Sequence, residues 1–233
     1  MAGTNLVRQL QRSVCALSLV AAPTNVVPLP EMIGRVQPGV LVVAGARKLQ
    51  GSDEMEIAPA SGFLLTEHGA FATSRHVLEQ PPDVIFLAMT GDGRVAPVVE
   101  VLASDQGSDL AIGRLAGDGF TPLPIQLEAP AGSLVVVVSH PHRQFYFVSQ
   151  GIVARHFIDR TNGTPQPVLA ITADFGPGSS GAPVLNAAGA VIAVADSIAL
   201  RMPQEGDPSA FNPPFVLKLC HPIGSLFALI RSP

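Results

Sequence analysis

The sequence predicts an all-β protein: two six-stranded antiparallel β-barrels side by side, followed by a C-terminal helix. Three observations carry this. From Gly39 onward the apolar runs are short, rich in Val and Ile, and separated by clusters of Gly, Pro, Asp and Asn, the pattern of strands joined by turns. The runs number about a dozen and fall into two series, parted by the Pro/Gly-rich passage GDGFTPLPIQLEAPAG (Gly117–Gly132). No helical pattern long enough for a crossover lies between them, which argues against a parallel α/β sheet.

Taken in order, residues 1–30 read as an N-terminal extension. Arg8 and Arg12 precede SVCALSLVAA (Ser13–Ala22), which has the length of a signal-peptide apolar region. No small-x-small cleavage site follows, and Pro23 sits where it hinders cleavage after Ala22. Leu6, Leu10, Val14 and Leu17 also fall at helical spacing. Both readings stay open, and with them the compartment: secreted or periplasmic for a signal segment, cytoplasmic otherwise. Residues 31–116 supply the first barrel, through VLVVAG, SGFLLTE, AFATS, DVIFLAM, APVVEVLA and DLAIGRLA. Residues 117–132 link it to the second, 133–220, built from SLVVVVSH, FYFVSQGIVARHF, PVLAITA, APVLN, AVIAVAD and PFVLKL. The tail, 221–233, places Ile223, Leu226, Phe227 and Ile230 on one helical face after Pro222. It predicts a helix docked on the second barrel.

Composition excludes several function classes. Only 14% of the 233 residues are charged and 47% are apolar, so the chain is neither disordered nor fibrous. A net charge of −4 leaves no basic footprint for nucleic acid. No apolar run reaches the ~18 residues of a membrane-spanning helix. Cys15 and Cys220 are too few for a disulfide framework, and their pairing is left open. His140, His142, His156 and His221 lack carboxylate or thiolate partners at ligand spacing, so they read as loop histidines and no metal is expected.

The chemistry concentrates in FGPGSSGAPVLN (Phe175–Asn186). Glycines at 176, 178 and 181 allow backbone conformations that aim successive N–H groups at one point. A serine in such a turn has its hydroxyl beside those donors, as acyl transfer requires. Alone the stretch reads as an ordinary turn. His76, in FATSRHVLE at the end of a strand run, and Asp109, in DQGSDLAIGRL ahead of one, each read alone as structural residues. Together the three carry a different meaning.

SGFLLTEHGAFATSRHVLE (Ser61–Glu79), SDLAIGRL (Ser108–Leu115), SHPHRQFYFVSQGIVA (Ser139–Ala154) and GSSGAPVLNAAGAVIAV (Gly178–Val194) resemble, in order, the motifs of trypsin-like serine proteases of the chymotrypsin fold. Within that fold they are most similar to the HtrA/Deg-type and related bacterial branch. The resemblance covers about residues 31–233 and implies a His–Asp–Ser triad of His76, Asp109 and Ser180. Ser180 takes the nucleophile position and Ser179 the variable one before it. The N–H groups of Gly178 and Ser180 become the oxyanion hole, the substrate is a polypeptide, and no cofactor is implied. The resemblance also implies a substrate pocket near Ala173–Pro177 and Val194–Ser197. Asp174 and Asp196 read there either as pocket acids or as turn residues, with Ser197 beside them. Two departures are expected to matter. Ser179 stands where zymogen-activated relatives keep an acid, which predicts no activation by N-terminal cleavage. The chain also stops soon after its helix, which predicts a protease domain without a PDZ domain. Homo-oligomer formation is left open. A protease-fold binding or scaffold protein without turnover is the competing reading, since fold alone does not establish activity. An esterase elbow would need Gly where Ala182 stands.

Overall fold

The computed structural model describes residues 27–49, 51–160, 164–201 and 215–231. The Leu6–Leu17 helical spacing, the signal-like Ser13–Ala22 segment and Cys15 lie outside the described residues. The first six strands are β1 (Val40–Lys48), β2 (Met55–Leu64), β3 (Ala70–Ser74), β4 (Ile85–Thr90), β5 (Val95–Asp105) and β6 (Leu110–Leu115). They close into an antiparallel barrel in the order β1-β2-β3-β6-β5-β4. The next six are β7 (Leu134–Ser139), β8 (Phe147–Asp159), β9 (Gln166–Ile171), β10 (Pro183–Asn186), β11 (Val191–Arg201) and β12 (Phe215–Pro222). They close as β7-β8-β9-β12-β11-β10, the same wiring moved on by six strands. The two-barrel prediction therefore holds.

Alternation along the strands builds three cores rather than two, because successive side chains point to opposite faces. In the first barrel Leu41, Leu64, Phe71 and Ala111 fill the interior. Their strand neighbours Val40, Phe63, Ala72 and Ile112 turn outward into a shared core. The second barrel behaves likewise: Val135, Val137 and Ala193 face inward, while Val136, Val138 and Val194 meet the first barrel's outward set. Strands buried on both faces explain why β3 and β7 read as continuous apolar runs.

Two helices close this seam. α1 (Leu29–Val36) starts with Pro30 in its first turn and carries a Glu31–Arg35 ion pair on its outer face. Its buried side, Met32 and Val36, lies on Gly189 in the β10–β11 hairpin. The C-terminal helix Ile223–Arg231 buries Ile223, Leu226 and Ile230 in the shared core. It packs against β5 and β6 as well as β11 and β12, so it spans both barrels instead of resting on the second alone. The Gly117–Gly132 passage is also tied down. Leu123 N–H donates to Leu64 O at 3.0 Å, and Gln126 N–H to Val191 O at 2.9 Å. One bond goes to each barrel.

Leu226 is 1% exposed at the centre of this seam. Leu226→Ala should cost about 2–5 kcal/mol, read as a lower urea midpoint with an unchanged slope.

Candidate active site

The imidazole and the carboxylate meet because two strands end together. β3 and β6 pair antiparallel up to Ser74↔Leu110. One further bond, Arg75 N–H to Asp109 O at 2.7 Å, carries the ladder past the strand ends. The chain then turns into the short helix α2 (Arg75–Leu78), which presents His76. Asp109 adopts a left-handed φ of 48°, a conformation that Asp tolerates better than most residues. Its carboxylate holds His76 twice: Oδ1 accepts the His76 backbone N–H at 3.1 Å, and Oδ2 lies 2.5 Å from Nδ1. A proton on Nδ1 satisfies the carboxylate and leaves Nε2 with its lone pair outward.

Ser180 comes from the other barrel, on a turn that β2 grips. Ser61 N–H donates to Ser180 O at 3.0 Å, and the Ser61 hydroxyl to Gly178 O at 2.9 Å. Thr73 in turn donates to Ser61 O at 2.7 Å. Gly181, at φ 86°, leaves no room for a Cβ, which would stand 2.3 Å from Ser61 O. Gly178, at φ 97°, is similarly confined against His140 O. Ser179 is fully buried and donates to the Ser139 hydroxyl at 2.9 Å, so its own hydroxyl is committed to packing. His76, Gly178 and Ser180 line one cavity of about 310 Å³, walled by Ala58, Pro59 and Val77.

The backbone of this turn has a defined orientation. Pro177 O accepts the His142 N–H at 2.8 Å. In a trans peptide the N–H points opposite to the carbonyl, so Gly178 N–H faces away from His142. Among the described residues no backbone acceptor takes the N–H of Gly178 or of Ser180. Two free donors beside a hydroxyl can stabilise an anion formed at that hydroxyl's target.

Electrostatics favour charge on His76. Its hydrogen bond to Asp109 raises the imidazole pKa above the ordinary value of about 6.5; partial burial pulls the other way, and the charges of Asp109 and Asp196 reinforce the rise. Asp196 lies in β11, where burial opposes its ionisation. Hydrogen bonds from His221 and Ser197 outweigh that and hold its pKa below the carboxylate norm.

The remaining predicted positions separate. Asp196 and Ser197 line a second cavity, of about 270 Å³, together with Asp109 and His221. Asp174 instead forms an ion pair with Lys218 at 2.7 Å, and the hydrogen bond from Lys218 lowers its pKa. His140 is buried: Nε2 donates to Leu41 O at 3.0 Å while Nδ1 accepts Tyr146 N–H at 3.0 Å. His156 donates to Ala129 O at 2.7 Å. Among the described residues no three His, Cys, Asp or Glu side chains converge as a metal site would require. Sequence reasoning missed the roles of Ser61, Thr73, Ser139, Lys218 and His221, because each acts through a partner that only strand pairing or barrel closure brings near.

The two-barrel arrangement is that of the chymotrypsin-like fold. A solved HtrA-type protease determined with a decapeptide superposes at a TM-score of 0.70 and 15% identity, covering 88% of this chain and 66% of that one. The chain belongs to the trypsin-like peptidase domain family, whose pattern matches residues 60–194. A protein of Hahella chejuensis named "Probable periplasmic serine endoprotease DegP-like" is 27% identical over 143 residues, 60% of this chain and 30% of that protein. One of the same name from Halomonas elongata is 28% identical over 156 residues, 65% and 32% of the respective chains. Protease Do-like 1, chloroplastic, of Arabidopsis thaliana is 26% identical over 153 residues, 62% and 34%. The chain thus spans about a third of the length of these relatives.

Burial holds His140 neutral, with a pKa lowered to about 4. Its unfolded value is about 6.5, so the contribution to stability is intact above pH 6.5 and is lost as the pH falls toward 4, by roughly 3 kcal/mol. Denaturant melts between pH 7 and 4 should show this slope, and His140→Gln should flatten it.

Proposed function

We propose that the chain is a serine endopeptidase in which Ser180 is the nucleophile, His76 the general base and Asp109 the residue that orients and stabilises the imidazole. The 2.5 Å contact between His76 and Asp109, with Ser180 on the same cavity, is the observation that carries this reading. Membership of the trypsin-like peptidase domain family supports it.

The chemistry follows from the atoms available. Ser180 Oγ attacks the peptide carbonyl as its proton passes to His76 Nε2. The carbonyl oxygen becomes an oxyanion facing the N–H groups of Gly178 and Ser180. Collapse breaks the C–N bond, and the proton on Nε2 leaves with the amine. Water then attacks the acyl ester, gives its proton to Nε2, and the acid departs as Ser180 recovers its own. Asp109 remains ionised throughout, balancing the imidazolium in each half-reaction.

The substrate would lie in the cleft between the barrels, with its leaving-group side toward the wall of Ala58, Pro59 and Val77. Asp174 is engaged by Lys218. We therefore read it as a partner of that lysine rather than a free acid awaiting a cationic side chain.

A fluorophosphonate probe should label the protein on Ser180, and Ser180→Ala should abolish labelling. A folded protein that resists the probe and cleaves no member of a peptide library would instead be a binding protein. Asp109→Asn should lower kcat by about 10⁴ while leaving the fold intact.

Hydrolysis requires neutral His76, and its pKa is raised, so the acidic limb of kcat/KM should have its midpoint above about pH 6.5. Stability runs the other way. The His76–Asp109 contribution is complete below about pH 6.5 and fades as the pH rises through the folded pKa.

A further inference from the structure

The second cavity contains a carboxylate that the proposed chemistry does not use. β11 and β12 pair through Ala195↔Cys220 and then Ser197↔Leu219, leaving Asp196 as the extra residue of a β-bulge. Bulges bend a strand and re-aim a side chain, and they recur beside active sites. The bulge sits one residue beyond Ala195, which exchanges hydrogen bonds with the serine turn: Gly181 N–H to Ala195 O, and Ala195 N–H to Ala182 O, each at 2.9 Å. Asp196 is thereby tied to the position of Ser180.

Its carboxylate, 21% exposed, faces the same cavity as Asp109. Two carboxylates on one recess repel unless a positive charge lies near both. His76 is in contact with the first and within electrostatic reach of the second. Behind Asp196, His221 is 6% exposed, with Nε2 3.5 Å from Asp196 Oδ2. The Ser197 hydroxyl donates to the same oxygen at 2.7 Å. Nδ1 of His221 is buried without a hydrogen-bond partner, so the ring makes its polar contact through Nε2, with this carboxylate. Asp159 lines the same recess. The Cys220 thiol is buried, which pushes its pKa up and keeps it uncharged.

We propose that Asp196 is a positioning residue of the hydrolytic site: a second carboxylate that acts with Asp109 to stabilise the His76 imidazolium, fixed in place by His221 and Ser197. The inference rests on the reading of His76 as general base. Each time His76 takes up a proton its charge gains two anionic neighbours, Asp109 in direct contact and Asp196 on the recess that Asp109 also lines. His221 supplies a polar contact that keeps the second carboxylate from swinging into solvent.

The test separates this role from simple packing. In Ser180→Ala protein, the His76 Hε1 resonance is titrated by NMR with Asp196 intact and with Asp196→Asn or Asp196→Ser. The expected result is a downward move of the His76 midpoint by about 0.5–1 pH unit. In the parallel Ser180-containing protein, kcat should fall roughly threefold to tenfold with KM unchanged, and the acidic limb of kcat/KM should move down with the NMR midpoint. The serine variant retains a hydroxyl and keeps the measurement available if the asparagine variant does not fold. A folded variant whose His76 midpoint stays within about 0.2 unit of its parent overturns the proposal, whatever its thermal stability. Labelling of Ser180 is scored separately. A protein that never labels but shows the shifted midpoint defeats the peptidase reading and sustains the coupling, whereas an active protein with an unmoved midpoint does the reverse.

Discussion

The grip of one barrel on the other's serine turn is the constraint from which the site's geometry follows. Ser61 holds that turn by its N–H, its hydroxyl and its carbonyl's closeness to Gly181, while Thr73 braces Ser61 from behind. Each bond is worth only about 1 kcal/mol, but each also serves a polar group that burial would otherwise leave unsatisfied. The same two strands that hold the turn lead into His76. The imidazole and hydroxyl are thus referred to a single short stretch of backbone, β2 to β3, rather than to two independently moving bodies.

Charge is distributed to the same end. Pairs such as Arg47–Glu56 and Lys48–Asp53 lie on the solvent side, where an ion pair contributes little. Two other pairs, one from each barrel, line or adjoin the two cavities: His76 with Asp109, and His221 with Asp196. Limited access to water strengthens the His221–Asp196 contact relative to the outer pairs, whereas the His76 side chain stays half exposed. A protein with few charges has gathered several of them about His76 and Asp109.

Much of this was legible in the sequence, and what was not has a common physical cause. Short runs rich in Val and Ile between turn residues mark strands, and the twelve runs became twelve strands in two barrels. His76, Asp109 and Ser180 could be singled out because each sits in a local pattern that can be read a few residues at a time. Lys218 was missed as the partner of Asp174 because 44 positions separate them and only barrel closure brings them together. Ser61 looked like any small strand residue, although its backbone anchors the serine turn. α1 straddles the boundary drawn between the extension, 1–30, and the first barrel, and Pro30 falls in its first turn, where its missing N–H costs nothing. The C-terminal helix was recognised from its spacing, but not its span over both barrels, because its buried face carries no mark of which strands it will meet.

The shared core has a further consequence for how the chain matures. Each barrel alone would expose the outward row that meets its neighbour, Val40, Phe63 and Ile112 on one side and Val136, Val138 and Val194 on the other. A half-folded chain would therefore leave this row open to water, and exposed apolar surface of that kind favours aggregation. Burying that apolar row and bringing Ser180 onto the cavity that His76 lines therefore depend on one and the same packing of barrel on barrel.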